Sequence, residues 1–158
     1  MSGKAPHILS ERQHRENWEW ADRTLAQLEG AIKTKVEMGV EFPSVASIPQ
    51  NQTVATLQAL SRPALMDGTI MAFYVHVHAK SGATNPTIQV YNESSDAGQV
   101  AVTDVCIINT APKTYKILPL KSGVNEGDVF GIRCTTGVAV TMTNVCGGYR
   151  MRPRWETS

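Results

Sequence analysis

The chain has 158 residues, 15 Lys or Arg against 14 Asp or Glu, a formal net charge of +1 and 42% hydrophobic residues. That length suits one domain plus an appendage and is enough to bury a core. The near balance of charge excludes the strong one-signed field on which nucleic-acid and anionic-lipid binders depend.

Residues 1–9 read as an N-terminal arm that opens on Met1-Ser2-Gly3-Lys4 and runs into polar residues, so no secretory leader is expected. A helix is predicted over 10–39. Ser10-Glu11-Arg12-Gln13 has the form of a capping box. Trp18, Ala21, Leu25, Leu28 and Ile32 follow a 3-4-3-4 spacing, the narrow seam of a coiled coil. Glu11–Arg15, Glu19–Arg23 and Glu29–Lys33 are acid-before-base pairs at i, i+4 that suit an exposed helix face. Gly39 is the expected stop. The seam needs a cover, either a second subunit or the chain's own β domain. Two heptads are too short to hold a coiled coil alone.

Residues 40–52, with Pro43, Pro49 and scattered Ser, read as an extended linker. Strands are predicted near 53–60, 69–80, 87–92, 100–109, 114–120, 128–135 and 138–149, separated by Gly, Pro, Asn and Asp. The clearest alternation runs from Ile70 to Lys80. Phe73, Val75, Val77 and Ala79 fall on one face, and Tyr74, His76, His78 and Lys80 on the other. The short Thr135-Thr136-Gly137 link suggests a hairpin into Val138, Val140 and Met142. Seven or so short strands predict a mainly β protein: an antiparallel, jelly-roll-like sandwich over 53–150 behind an N-terminal α-helix, with a tail at 151–158.

Three cysteines, Cys106, Cys134 and Cys146, lie in apolar runs with long spacings and no CxxC, the usage of reduced, buried thiols in a protein made in a cytoplasm. No apolar stretch approaches the ~20 residues that cross a bilayer.

His76-Val77-His78 is the sharpest candidate for metal chemistry, because residues two apart on a strand point the same way. Cupins, also jelly rolls, add a nearby Glu and a later His to such a pair. Here Ala79 to Thr84 holds no carboxylate and no His follows position 78. There is no G-x-S-x-G, no phosphate loop, and no recognisable setting for a catalytic Cys or Ser. The expectation is therefore no catalytic residue, no metal and no cofactor. Tyr74, His76 and His78 remain as a strand surface that could face a ligand, a glycan among them.

The runs Asp67-Gly68-Thr69-Ile70-Met71-Ala72-Phe73-Tyr74-Val75, Thr87-Ile88-Gln89-Val90-Tyr91-Asn92 and Asn125-Glu126-Gly127-Asp128-Val129-Phe130-Gly131-Ile132, with the closing strands, resemble the jelly-roll modules of bacteriophage virion proteins. The resemblance covers roughly residues 53–150 and is shared by capsid decoration (cement) proteins, head fibres and tail modules. It implies a homotrimer whose N-terminal helix or arm docks on the particle or trimerises. It also implies a virion location after synthesis in a host cytoplasm, and the major capsid protein as partner, with no nucleic acid and no membrane. The short chain, without fibre repeats, favours decoration; the alternative is a receptor- or glycan-binding tail or fibre module. On this reading Trp18, Ala21, Leu25, Leu28 and Ile32 form the helix contact face, and Arg152, Arg154 and Trp155 are tail contacts.

Overall fold

A computed structural model describes residues 10–53, 57–94, 99–137 and 139–154, apart from the side chains of residues 33–35. The chain divides into two units, Met1–Val36 and Glu37–Ser158.

Among its described residues the first unit holds one helix, α1 (Glu11–Lys35). Its capping box forms as the sequence predicts: the Ser10 hydroxyl accepts from the Gln13 N–H at 3.3 Å and the Gln13 side chain accepts from the Ser10 N–H at 2.9 Å. The helix stops before Gly39, because Val36 is already extended and its N–H closes the last turn on the Ile32 carbonyl. The ion pair seen on α1 among the described side chains is Arg12–Glu16 at 2.8 Å. It is base-before-acid, unlike the expected Glu11–Arg15 and Glu19–Arg23; the Lys33 side chain of the third expected pair lies outside the described residues. Arg23 donates to the Glu19 carbonyl rather than to its carboxylate.

The second unit contains β1 (Met38–Ile48), β2 (Leu57–Leu60), β3 (Gly68–Ser81), β4 (Thr87–Asn92), β5 (Val100–Ala101), β6 (Cys106–Ile107), β7 (Lys113–Ile117), β8 (Gly123–Val124), β9 (Phe130–Thr135) and β10 (Thr141–Pro153). All pairings are antiparallel. One sheet has the order β1-β10-β3-β7, with β8 also on β3. The other has β2-β9-β4-β5, with β6 also on β4. The first four strands alternate between the sheets, and the first and last strands lie side by side, which is the strand order of a jelly roll. The predicted mainly β sandwich behind an N-terminal helix is what the chain forms.

Three sequence readings need correction. The stretch 40–52 is no linker: Met38–Ile48 is an 11-residue strand paired with β10, and Phe42 and Ile48 are buried. Pro43 is tolerated because β1 is a sheet edge and the register slips between Phe42 and Val45. The chain after β9 does not turn back as a hairpin, since β9 and β10 belong to different sheets. The Thr136 hydroxyl donates to the Pro49 carbonyl and accepts from the Gln52 N–H, and Gly137 and Ala139 take positive φ as the chain crosses. Finally, β10 runs through Pro153, so Met151 and Arg152 belong to a strand rather than a tail.

The core lies between the two sheets. Phe73, Val75 and Val77 of β3 and Val145, Tyr149 and Met151 of β10 face Ile88 and Val90 of β4 and Phe130, Ile132 and Cys134 of β9. Phe73, Phe130 and Tyr149 pack mutually with centroids 5.2–5.8 Å apart, joining the sheets through tilted and edge-on contacts. Ala79, expected on the core face of β3, is exposed. Gly147 stands where a Cβ would strike the Tyr74 carbonyl, which explains glycine in the middle of a central strand.

Candidate interaction surfaces

The seam of α1 is open. Trp18 is 70% exposed, and Leu25, Leu28 and Ile32 are each more than half exposed; Ala21 is partly covered. Trp20, off the seam, is 64% exposed. Polar residues at the intervening positions keep the helix solvated, so these side chains are the only large apolar ones on its described surface.

The second surface is the outer face of the β1-β10-β3-β7 sheet. Because Phe73, Val75 and Val77 point to the core, Tyr74, His76 and His78 point away from it. Cross-strand register sets Tyr74 between Lys116 and Gly148, and His76 between Thr114 and Cys146. His76 Nδ1 lies 3.0 Å from the Thr114 hydroxyl, and the two His rings are 6.4 Å apart. Among the described residues no group of three or more His, Cys, Asp or Glu is placed to hold a metal ion. The expected ligand-facing set thus shares one face, where Tyr74 and His76 are half-buried and His78 is exposed.

Arg150, directly across from Gly39 and Ala72, donates to Tyr74 and is paired with Glu37. Those contacts hold its guanidinium further in the charged form. Arg152 Nη2 lies 3.7 Å from the other Glu37 oxygen. Arg152 is therefore engaged within the sandwich. Arg154 is exposed and donates its backbone N–H to the Asp67 carbonyl. Trp155, the third expected tail contact, lies outside the described residues.

The outer face of the opposite sheet carries a feature the sequence reading missed. Arg133 of β9 makes a two-pronged pair with Glu93: Nε to Oε1 at 3.0 Å and Nη2 to Oε2 at 2.8 Å. Their side chains are only 8% and 9% exposed. The guanidinium also lies 4.2 Å from the centre of the Tyr91 ring. A charge inside Phe130-Gly131-Ile132-Arg133-Cys134 is the available signal, since a buried Arg requires a partner. Glu93 is that partner. The enclosed bidentate geometry is that of a structural clamp, with no open acid or base.

An apolar groove of about 580 Å³ runs between the β1 edge, Met38 to Pro43, and the segment Arg62 to Met66. Of the thiols, Cys134 is buried in the core and desolvation pushes it up to about 12. Burial raises Cys106 too, against the nearby Lys113. Tyr149 is a core residue. No family model and no curated protein sequence matches the chain.

Proposed function

We propose that the chain is a non-enzymatic structural subunit of a virion, a homotrimeric decoration protein that binds and stabilises a shell of major capsid protein. The observation that carries this reading is the open seam of α1. A well-capped 25-residue helix with Trp18, Leu25, Leu28 and Ile32 in solvent is built to be covered by another chain. Each Leu or Ile covered contributes roughly 2 kcal/mol. The resemblance to phage jelly-roll modules supplies the particle context, and the strand order accords with it.

Replacing Leu25 and Leu28 together by Asp tests the reading, with native mass spectrometry and particle binding as readouts. The expected result is a folded monomer that no longer binds particles. A double variant that still assembles as a trimer would sink the proposal. The alternative, a receptor- or glycan-binding tail module, draws on Tyr74 beside the bare Gly148. Yet Gly148 is already required where a Cβ would meet the Val40 carbonyl, so no ligand is needed to explain it. Saturable binding by the protein on a glycan array would favour that alternative.

A further inference from the structure

We infer that the seam of α1 docks on the sandwich of a neighbouring copy, along the edge formed by residues 102–107 and 113–121, rather than on sister helices. Written as heptads, Trp18, Leu25 and Ile32 take the a positions and Ala21 and Leu28 the d positions. The e positions are then Asp22 and Glu29, both exposed, and the g positions are Asn17, Thr24 and Ala31. Parallel sister helices set e of one against g of the next, and no g residue here carries a positive charge. Antiparallel ones would oppose acid to acid at e. Between Glu16 and Glu29 the helix holds four acids, Glu16, Glu19, Asp22 and Glu29, against one base, Arg23, which falls at f, away from the seam. A bundle of these helices alone would gather acids along its seam with no cation to answer them.

The complementary chemistry lies on the sandwich. Thr103 bridges Pro119, and the Leu120 N–H donates to the Val102 carbonyl at 2.7 Å, so residues 102–104 lie beside 118–120. Lys113 at the start of β7 is near enough to Cys106 of β6 for its charge to act on the thiol, which extends the same edge. Val105, Ile107, Leu118 and Leu120 are each more than half exposed there. Such a concentration of bare aliphatic side chains marks an interaction site. Lys113, Lys116 and Lys121 rim it, all exposed and in no ion pair among the described residues, against the single acid Asp104. Residues 102–107 span at most about 17 Å, and the helix rises about 15 Å from Trp18 to Leu28, so seam and edge match in length. The groove beside β1 offers Glu41 and Arg62, one charge of each sign, and gives an acidic helix no preference. Seam on edge is a head-to-tail contact, which closes into a ring when the rotation between copies allows. The contact rests on the assembly reading, for which it supplies the surface that covers the seam.

Sedimentation velocity and native mass spectrometry of the full chain test the contact. Leu25→Asp with Leu28→Asp removes the seam, and Leu118→Asp with Leu120→Asp removes the edge. Each double variant alone is expected to be a monomer that keeps the melting transition of the sandwich. Mixed in equal amounts they should form a dimer holding one of each, because the intact seam of one meets the intact edge of the other. Lys116→Glu with Lys121→Glu keeps the apolar side chains and should weaken assembly about tenfold. Adding Asp22→Lys with Glu29→Lys to that chain should restore it. Where the edge variant loses its melting transition, this charge exchange decides instead. An edge variant that assembles like the unaltered chain, a mixture that stays monomeric, or a charge exchange without recovery would each overturn the inference and leave the assembly reading standing. An unaltered chain that is monomeric at ~0.1 mM would end both.

Discussion

The two units of the chain treat large apolar side chains in opposite ways. In the sandwich Phe73, Phe130 and Tyr149 meet between the sheets and are closed off from water. In the helix Trp18, Trp20, Leu25, Leu28 and Ile32 are all in solvent. The sandwich closes its hydrophobic pattern between its own two sheets; the helix, taken by itself, leaves its pattern exposed. The lesson is that a hydrophobic stripe identifies a surface to be covered, and only the three-dimensional arrangement says whether the same chain covers it.

The sharpest way to break the contrast is to truncate one residue from each side. Phe73→Ala should lower the unfolding free energy of the sandwich by ~3–5 kcal/mol, whereas Leu28→Ala in dilute monomer should stay within about 0.5 kcal/mol. Chemical denaturation followed by Trp and Tyr fluorescence measures both, and similar losses would mean the helix is packed after all.

Next in size is the clamp on the outer face of the β9 sheet. Glu93→Ala should cost about 3 kcal/mol, because it leaves the Arg133 guanidinium buried and uncompensated. Adding Arg133→Met should recover much of that loss. A double variant no better than the single would mean that the pair's own attraction, rather than the stranded charge, sets the cost.

On the helix the corresponding local contact is the cap. Ser10→Ala should reduce helix stability by about 1 kcal/mol. The change belongs in the helical circular dichroism signal at low concentration, while the sandwich's denaturation midpoint holds.

The smallest effect separates burial from bonding in the core. The Tyr149 hydroxyl is buried without a hydrogen-bond partner among the described residues. Burial, with a lesser push from the Asp128 charge, raises its pKa to about 12. Cys134 is likewise raised to about 12. The unfolded chain releases these protons near their ordinary values of 9.0 and 10.0. The folded chain keeps them longer, so their stabilising contribution is full below about pH 9 and declines between there and about 12. Tyr149→Phe should be neutral or stabilising by ~1 kcal/mol at neutral pH and should flatten the alkaline decline in melting temperature. A marked loss on that substitution would show that the hydroxyl is bonded.

Much of the architecture is legible in the residues because it rests on local rules. The capping box and the 3-4 seam specify α1, and alternation from Phe73 to Val77 specifies the two faces of β3, which sets Tyr74, His76 and His78 on the face away from the core. Elsewhere the deciding contacts are distant in sequence. Residues 38–48 look like linker until β10, a hundred residues later, supplies the hydrogen-bond partner that makes them a strand. Thr135-Thr136-Gly137 has the chemistry of a hairpin, yet Thr136 is held by Pro49 and Gln52 and the chain crosses to the other sheet. Glu93 and Arg133 lie 40 positions apart, and nothing local marks them as partners.

Local periodicity and capping thus determined by themselves that this chain makes one helix with an apolar seam and a set of short, two-faced strands. Tertiary structure alone decided which strands share a sheet, which buried charge meets which, and that residues 102–104 and 118–120 lie side by side. The physical reason is range. Side-chain direction and end-capping are settled within a few residues, whereas strand order and charge pairing follow from burying a common core whose contributors are scattered along the chain.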